Sequence, residues 1–218
     1  MKKILSLSFI LLLAAAASPK AYTMYEARND FKVAEARIQK AIATRRTVLD
    51  FKDLKNLMEI PSSVRKVEGL WYFNAVGTKI DDVSPLSNLP DLKSIYVGDT
   101  RVSDLSALRV NDRLEDLDIG RSWVSDLEPL SQLPSLNRLQ MDRIAVKSIC
   151  PLLNVRFLNW VNFYKSYAND GSQECFKKLE TRVKEVGGGN SYRQNYIPGA
   201  PYKLTVWFDR FLKYWEWR

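Results

Sequence analysis

A fixed spacing of 22 residues organises the middle of this 218-residue chain. Leucine recurs at this interval in one column, and further apolar columns keep the same interval beside it. The leucine column consists of Leu70, Leu92, Leu114, Leu136 and Leu158, and the other columns begin at Phe73, Ala75, Ile80, Val83 and Leu86. A repeat this short cannot bury its apolar side alone, so successive coils must stack into a parallel solenoid.

Each repeat contains a short strand, a bend and a return segment. Leu117, Asp118 and Ile119 show the period-two alternation of a strand. Thr or Ser then occupies a bend, where its hydroxyl can hydrogen-bond the nearby backbone. Asp follows and can cap the exposed N–H groups of the return segment, which Pro makes rigid. These residues are Thr78, Thr100 and Ser122; Asp82, Asp104 and Asp126; and Pro85, Pro129 and Pro151.

The pattern L-x-x-L-x-L-x-x-T-x-V-S-D-L-x-P-L-x-x-L-P resembles the internalin-like leucine-rich repeats of bacterial proteins. Residues 114–134 match it best, Ile144 departs from it at the Thr/Ser position, and residues 49–61 resemble a 23-residue variety. The resemblance implies an α/β solenoid, a leucine-rich-repeat right-handed coil with a parallel concave sheet and helical caps at both ends. Related repeats occur in adhesins, inhibitors, receptors and scaffolds, so the resemblance does not specify a partner.

The first residues are predicted to form a secretory signal peptide. Lys2 and Lys3 precede an apolar run, and small residues follow, so cleavage is expected after Ala17 or after Ala21. An uncleaved anchor is the alternative. The protein is therefore expected to be exported, either to the periplasm or into the medium. The predicted organisation is a signal peptide over 1–17, an N-terminal helical cap over 22–46, repeats over 47–164, a C-terminal helical cap over 165–189 and an aromatic-rich tail over 190–218.

Helices are predicted beside the repeats. Residues 30–46 have the pattern of an amphipathic helix, and residues 172–186 have that of a second helix closed by the glycines at 187–189. In the tail, apolar and aromatic residues between 204 and 215 follow helical spacing. That segment either docks on a membrane or a partner, or folds back onto the solenoid; a strand over 203–208 remains an alternative.

Cysteine and histidine content limits the chemistry. Cys150 and Cys175 are expected to form a disulfide in an oxidising compartment, with two buried free thiols as the alternative. The chain contains no histidine, which removes the usual general base and the commonest metal ligand.

The formal charge of +8 becomes +6 when Lys2 and Lys3 are removed, and the basic residues are interleaved with acids. We expect no enzyme activity, no cofactor and no nucleic-acid partner.

The outward-facing residues of the strands form the candidate site. Exposed aromatic side chains with acidic and polar neighbours are typical of protein interfaces. The predicted binding residues are Tyr72, Asn74, Tyr96, Asp116, Asp118, Arg138, Gln140, Asp142, Trp160 and Tyr164. Asp116, Asp118 and Asp142 have two alternative interpretations, a calcium site and paired catalytic carboxylates.

The sequence thus predicts an exported leucine-rich-repeat module that binds a protein on its concave sheet, as an inhibitor or immunity-type partner or as an adhesin. One alternative is an envelope structural or membrane-peripheral protein that docks through the aromatic C-terminal helix, which makes peripheral membrane contact possible. The other is a carboxylate enzyme acting on a glycan. The oligomeric state is not predicted.

Overall fold

The computed structural model describes residues 19–169, 173–183 and 185–187. The predicted signal peptide over 1–17 and the aromatic-rich tail over 190–218 lie outside these residues. Among the helices of the described residues, none is both long and apolar enough to cross a membrane.

The chain begins with helix α1, Pro19–Thr44, which starts earlier than the predicted residue 30. Ala27, Ala34, Ile38 and Ala41 are buried and recur at helical spacing, so one stripe of the helix packs on the first coil. Arg37 fixes the helix there, because its guanidinium donates to both carboxylate oxygens of Asp53 at 2.6 Å. The helix thereby covers the open end of the repeat core.

The main sheet contains seven parallel strands. They are β1 Val48–Asp50, β2 Tyr72–Asn74, β3 Ser94–Tyr96, β4 Asp116–Asp118, β5 Arg138–Gln140, β7 Trp160–Asn162 and β9 Glu185–Gly187, and they lie in this order across the sheet. The central residue of each of the first six strands is buried, and its neighbours point to the opposite face of the sheet. A second sheet pairs β6, Ala145–Val146, with β8, Tyr167–Ala168.

Short 3₁₀ helices form the return side of the coils. They span Ser62–Lys66, Ser84–Leu86, Ser106–Val110, Glu128–Gln132 and Cys150–Asn154. The predicted Asp caps are confirmed, since Asp82, Asp104 and Asp126 accept hydrogen bonds from the backbone N–H two residues later, at 2.7–2.9 Å. The predicted bend is confirmed as well: the hydroxyls of Thr78, Thr100 and Ser122 donate to the carbonyl three residues earlier, at 2.6–2.8 Å.

The coil that contains Ile144 obtains its bend hydroxyl from the next coil. Ile144 is buried, and the hydroxyl of Ser166 donates to the carbonyl of Met141. The same hydroxyl accepts the N–H of Ile144 at 3.2 Å. Ser166 therefore satisfies the carbonyl that Thr or Ser satisfies in the earlier coils, from a position 22 residues further along the chain.

The C-terminal end differs from the single helix predicted over 172–186. Helix α2, Gln173–Arg182, ends early, and Val186 and Gly187 belong to β9, which pairs with β7. The physical reason is the free edge of β7, whose backbone groups gain hydrogen-bond partners from another strand. Cys150 and Cys175 form a disulfide with Cα atoms 5.2 Å apart, which joins the last 3₁₀ helix to α2.

Candidate binding face

The residues of the main sheet that point away from the core, with those that follow each strand, form three columns on its concave face. Parallel pairing stacks equivalent residues of successive coils side by side in the first two columns. The first column is Tyr72, Ser94, Asp116, Arg138 and Trp160, the second is Asn74, Tyr96, Asp118, Gln140 and Asn162, and the third is Val76, Gly98, Gly120, Asp142 and Tyr164. All ten predicted binding residues lie in these columns.

Five of these residues form one continuous chain of contacts, which we call the concave ladder: Tyr72, Tyr96, Asp116, Arg138 and Trp160. The two tyrosine rings have centroids 5.3 Å apart. The Tyr96 hydroxyl donates to Asp116 Oδ2 at 2.7 Å, and Arg138 Nε lies 3.8 Å from the same oxygen. The Arg138 guanidinium then lies over the Trp160 ring, 4.7 Å from its centroid. The ladder thus spans the strands from β2 to β7.

The second tyrosine of the ladder, Tyr96, is held as a hydrogen-bond donor. Burial, together with the hydrogen bond to Asp116, raises the pKa of the Tyr96 hydroxyl above its usual range. The proton therefore remains on the phenol, and the phenol keeps Asp116 oriented as an acceptor.

Two glycines of the third column leave room for two carboxylates. A Cβ on Gly98 would lie 2.9 Å from both Asp118 carboxylate oxygens, and a Cβ on Gly120 would meet an oxygen of Asp142. The backbone N–H of Gly120 also donates to Asp118 Oδ1 at 2.8 Å. The sequence prediction of the site included neither glycine, although their recurrence one period apart was a signal.

The environment of Asp118 makes its negative charge unfavourable. Burial is the main cause, and the charges of Asp142 and Asp116 add to it, so the pKa of the Asp118 carboxyl rises to about 6. The Gly120 N–H and the charge of Arg121 act in the opposite direction. A positive charge brought close to Asp118 would therefore favour the ionised form of its carboxyl and lower its pKa.

Amide side chains connect the second and third columns. Gln140 Nε2 donates to Asp142 Oδ1 at 2.6 Å, and Asn162 Nδ2 donates to Gln140 Oε1 at 3.0 Å. Asn74 is 8 % exposed and donates to the Tyr72 hydroxyl at 3.4 Å. Asn74 therefore supports Tyr72 and offers little surface of its own.

The third column meets basic residues at the turn that follows it. Arg121 Nε and Arg143 Nε lie 3.5 Å and 4.0 Å from Asp142 Oδ2. Arg143 and Lys165 also lie over the Tyr164 ring, at 5.7 Å and 5.2 Å from its centroid. The sequence prediction of the site missed these cations, although they share the 22-residue spacing.

The calcium interpretation of the acidic residues gains no support from the geometry. Across the part of the chain that the structure describes, no group of three acidic, His or Cys residues is arranged to hold a metal ion.

No protein-family model and no curated protein matches the sequence. Solved structures do match. An internalin from Listeria monocytogenes is 24 % identical over 62 % of this chain and 48 % of its own, with a TM-score of 0.49. Internalin C2 from the same organism is 26 % identical over 63 % of this chain and 65 % of its own, with a TM-score of 0.52. The chain folds as a leucine-rich-repeat solenoid.

A third match extends this fold beyond Listeria. A leucine-rich-repeat protein from Leptospira interrogans is 20 % identical over 62 % of this chain and 38 % of its own, with a TM-score of 0.53. This chain thus spans less than two thirds of the length of each of these three proteins. The similarity describes the internalin-like repeat fold and leaves the partner to be inferred from the residues of this chain.

Proposed function

We propose that this protein is an exported binding module that holds a protein partner on its concave ladder. The observation that carries the proposal is the uninterrupted contact from Tyr72 to Trp160, which places aromatic, acidic and guanidinium groups on one open face. The curved sheet of a solenoid is an extended surface of the kind that such proteins use for binding. The predicted signal peptide supports export.

The ladder has the composition and rigidity of an interface centre. Tyr, Trp and Arg are the residue types that most often dominate binding energy, and central anchors of this kind typically contribute about 2 kcal/mol or more each. The contacts among Tyr96, Asp116 and Arg138 already hold these side chains in place before binding. Less conformational entropy is then lost when the partner arrives.

The acidic residues favour a partner with a basic surface. Asp116, Asp118 and Asp142 lie within the three columns, and Asp118 carries a charge that its surroundings disfavour. A Lys or Arg of the partner would relieve that cost. Opposite charges would also accelerate capture at low salt. An inhibitor or immunity-type partnership and adhesion to a surface protein are both consistent with such a site.

The test is comparative capture. Immobilised wild-type protein is exposed to envelope and culture-supernatant extracts in parallel with a Tyr96→Ala/Trp160→Ala variant, whose changed side chains lie on the solvent side of the sheet. Glu128→Lys, at an exposed position on the return side, is the control. A protein captured by the wild type and the control but lost from the double variant supports the proposal. Equal capture by the double variant and the wild type contradicts it, provided that circular dichroism shows all three to be folded.

A further inference from the structure

A row of turn residues runs along the rim of the concave face. Its members are Gly77, Asp99, Arg121, Arg143 and Lys165, one from each successive coil. All have positive φ, between 55° and 71°. The N–H groups of Asp99, Arg121 and Arg143 donate to carbonyls of the next coil at 2.7–2.8 Å, so the row stays in register. The cations are therefore spaced by about one strand separation, about 4.8 Å.

The residue types in this row are unfavourable for the backbone. Gly and Asp tolerate the left-handed conformation, whereas Arg and Lys lose about 1 kcal/mol or more each there. Gly77 and Asp99 follow this preference, and the last three members do not. Stacked like charges also repel one another. The sequence therefore keeps three cations at positions whose backbone conformation disfavours them. The Asp142 carboxylate beside Arg121 and Arg143 offsets part of the repulsion between these two guanidinium groups.

The surroundings concentrate positive charge on this flank. Lys147 is exposed four residues after Arg143, and the exposed aromatic residues Trp123 and Tyr167 each follow a turn cation, Arg121 and Lys165, by two residues. Arg121 and Arg143 share the carboxylate of Asp142, whose side chain is 14 % exposed. We call Arg121, Arg143, Lys147 and Lys165 the basic rim.

We propose that the basic rim binds a short acidic polypeptide segment, a site separate from the concave ladder. Guanidinium groups pair with carboxylates in bidentate geometry, and Trp123 and Tyr167 offer apolar contact beside them. The same row continues into Asp99, and the adjoining columns carry Asp116, Asp118 and Asp142. A long polymer of uniform negative charge that followed this row would come within a few coils of these acidic residues, which would repel it. A short acidic segment of a polypeptide ends before it reaches them.

The test uses a fluorescein-labelled oligoglutamate peptide and fluorescence anisotropy at low and at physiological salt. The rim variant carries Arg121→Asn, Arg143→Asn and Lys165→Asn, because Asn tolerates positive φ. The control variant removes the same net charge at the exposed residues Lys32, Lys52 and Lys66 near the N-terminal coil. We expect the rim variant to lose about tenfold in affinity. The control should stay within about twofold of the wild type, as exposed charges elsewhere contribute little.

Competition distinguishes the other polyanions. Heparin and single-stranded DNA are added as unlabelled competitors and also tested as labelled ligands. Equal losses in the rim and control variants would overturn the proposal, because binding would then reflect net charge alone. Tight binding of heparin or DNA that depends on the rim residues, without binding of the peptide, would also overturn the proposal. If the triple variant does not fold, the single variant Lys165→Glu is used in its place, and it should also weaken peptide binding. The Tyr96→Ala/Trp160→Ala variant should still bind the peptide, so a failure of the concave proposal is separately visible.

Discussion

At the scale of single residues, the turns of this solenoid depend on hydroxyl groups that satisfy buried carbonyls. Thr78, Thr100 and Ser122 do so within their own coils. The repeat pattern was sufficient to predict those three. It left Ile144 as an exception, because a hydroxyl that arrives from the following coil cannot be inferred from one repeat. In that coil Ser166, one period later, supplies the missing group.

We expect Ser166→Ala to destabilise the protein by about 1–3 kcal/mol. The change leaves the Met141 carbonyl and the Ile144 N–H without the buried hydroxyl that contacts both. The free energy of unfolding is measured by urea titration. Ser103→Ala is the control, since Ser103 is exposed at a turn of an earlier coil. Equal stability of the two variants would mean that the shared hydroxyl contributes nothing.

Asp118 should make stability depend on pH. Its pKa is raised from 3.8 to about 6 in the folded state, so the folded protein holds the proton more tightly than the unfolded chain does. The resulting stability is fully present below about pH 4 and is lost as the pH rises through about 6. Asp118→Asn should remove this component.

The measurement compares the free energy of unfolding of the wild type and of Asp118→Asn at about pH 4 and about pH 7. Relative to that of the wild type, the free energy of unfolding of Asp118→Asn should increase by on the order of 1–2 kcal/mol from the lower pH to the higher pH. A constant difference would show that Asp118 ionises normally. Asp112→Asn is the matched control for a change of charge at an exposed acid.

At the scale of elements, the sequence predicted which segments form strands and helical caps more accurately than it predicted the residues at which these elements begin and end. Buried stripes defined α1, but its start at Pro19 lies well before the amphipathic segment. The segment 172–186 looked helical because Phe176, Leu179 and Val183 share a helical face. The free edge of β7 is a tertiary feature, and it draws Val186 into a strand instead. Local periodicity carries no information about such an edge.

The disulfide belongs to this scale because it joins two elements, the last 3₁₀ helix and α2. It closes a loop with a sequence separation of 25 residues, for which the chain-entropy model gives about 3 kcal/mol. Dithiothreitol should therefore lower the urea midpoint of protein purified under oxidising conditions and leave that of a Cys150→Ser/Cys175→Ser variant unchanged. Two alkylatable thiols in the non-reduced protein would contradict the bridge.

At the scale of the whole molecule, the spacing of 22 residues accounts for why the site residues meet. Residues far apart in sequence become neighbours once coils stack, so the members of the three columns could be predicted from the sequence. The contacts within the columns could not, because Tyr96 reaches Asp116 on the neighbouring strand rather than its direct partner Asp118. Charge that looked scattered along the chain also becomes concentrated on one flank. Stacking places Arg121, Arg143 and Lys165 together.

Charge and aromatic surface should control different steps of partner binding. Once capture has identified a partner, Asp116→Asn/Asp118→Asn should slow association several-fold and flatten its dependence on salt, because long-range attraction acts before contact. Tyr96→Ala/Trp160→Ala should instead raise the dissociation rate, as packed anchors act after contact. Surface plasmon resonance over a range of salt concentrations separates the two rates, with Glu128→Lys as the control. Unchanged association in the acidic variant would mean that these carboxylates do not steer the partner.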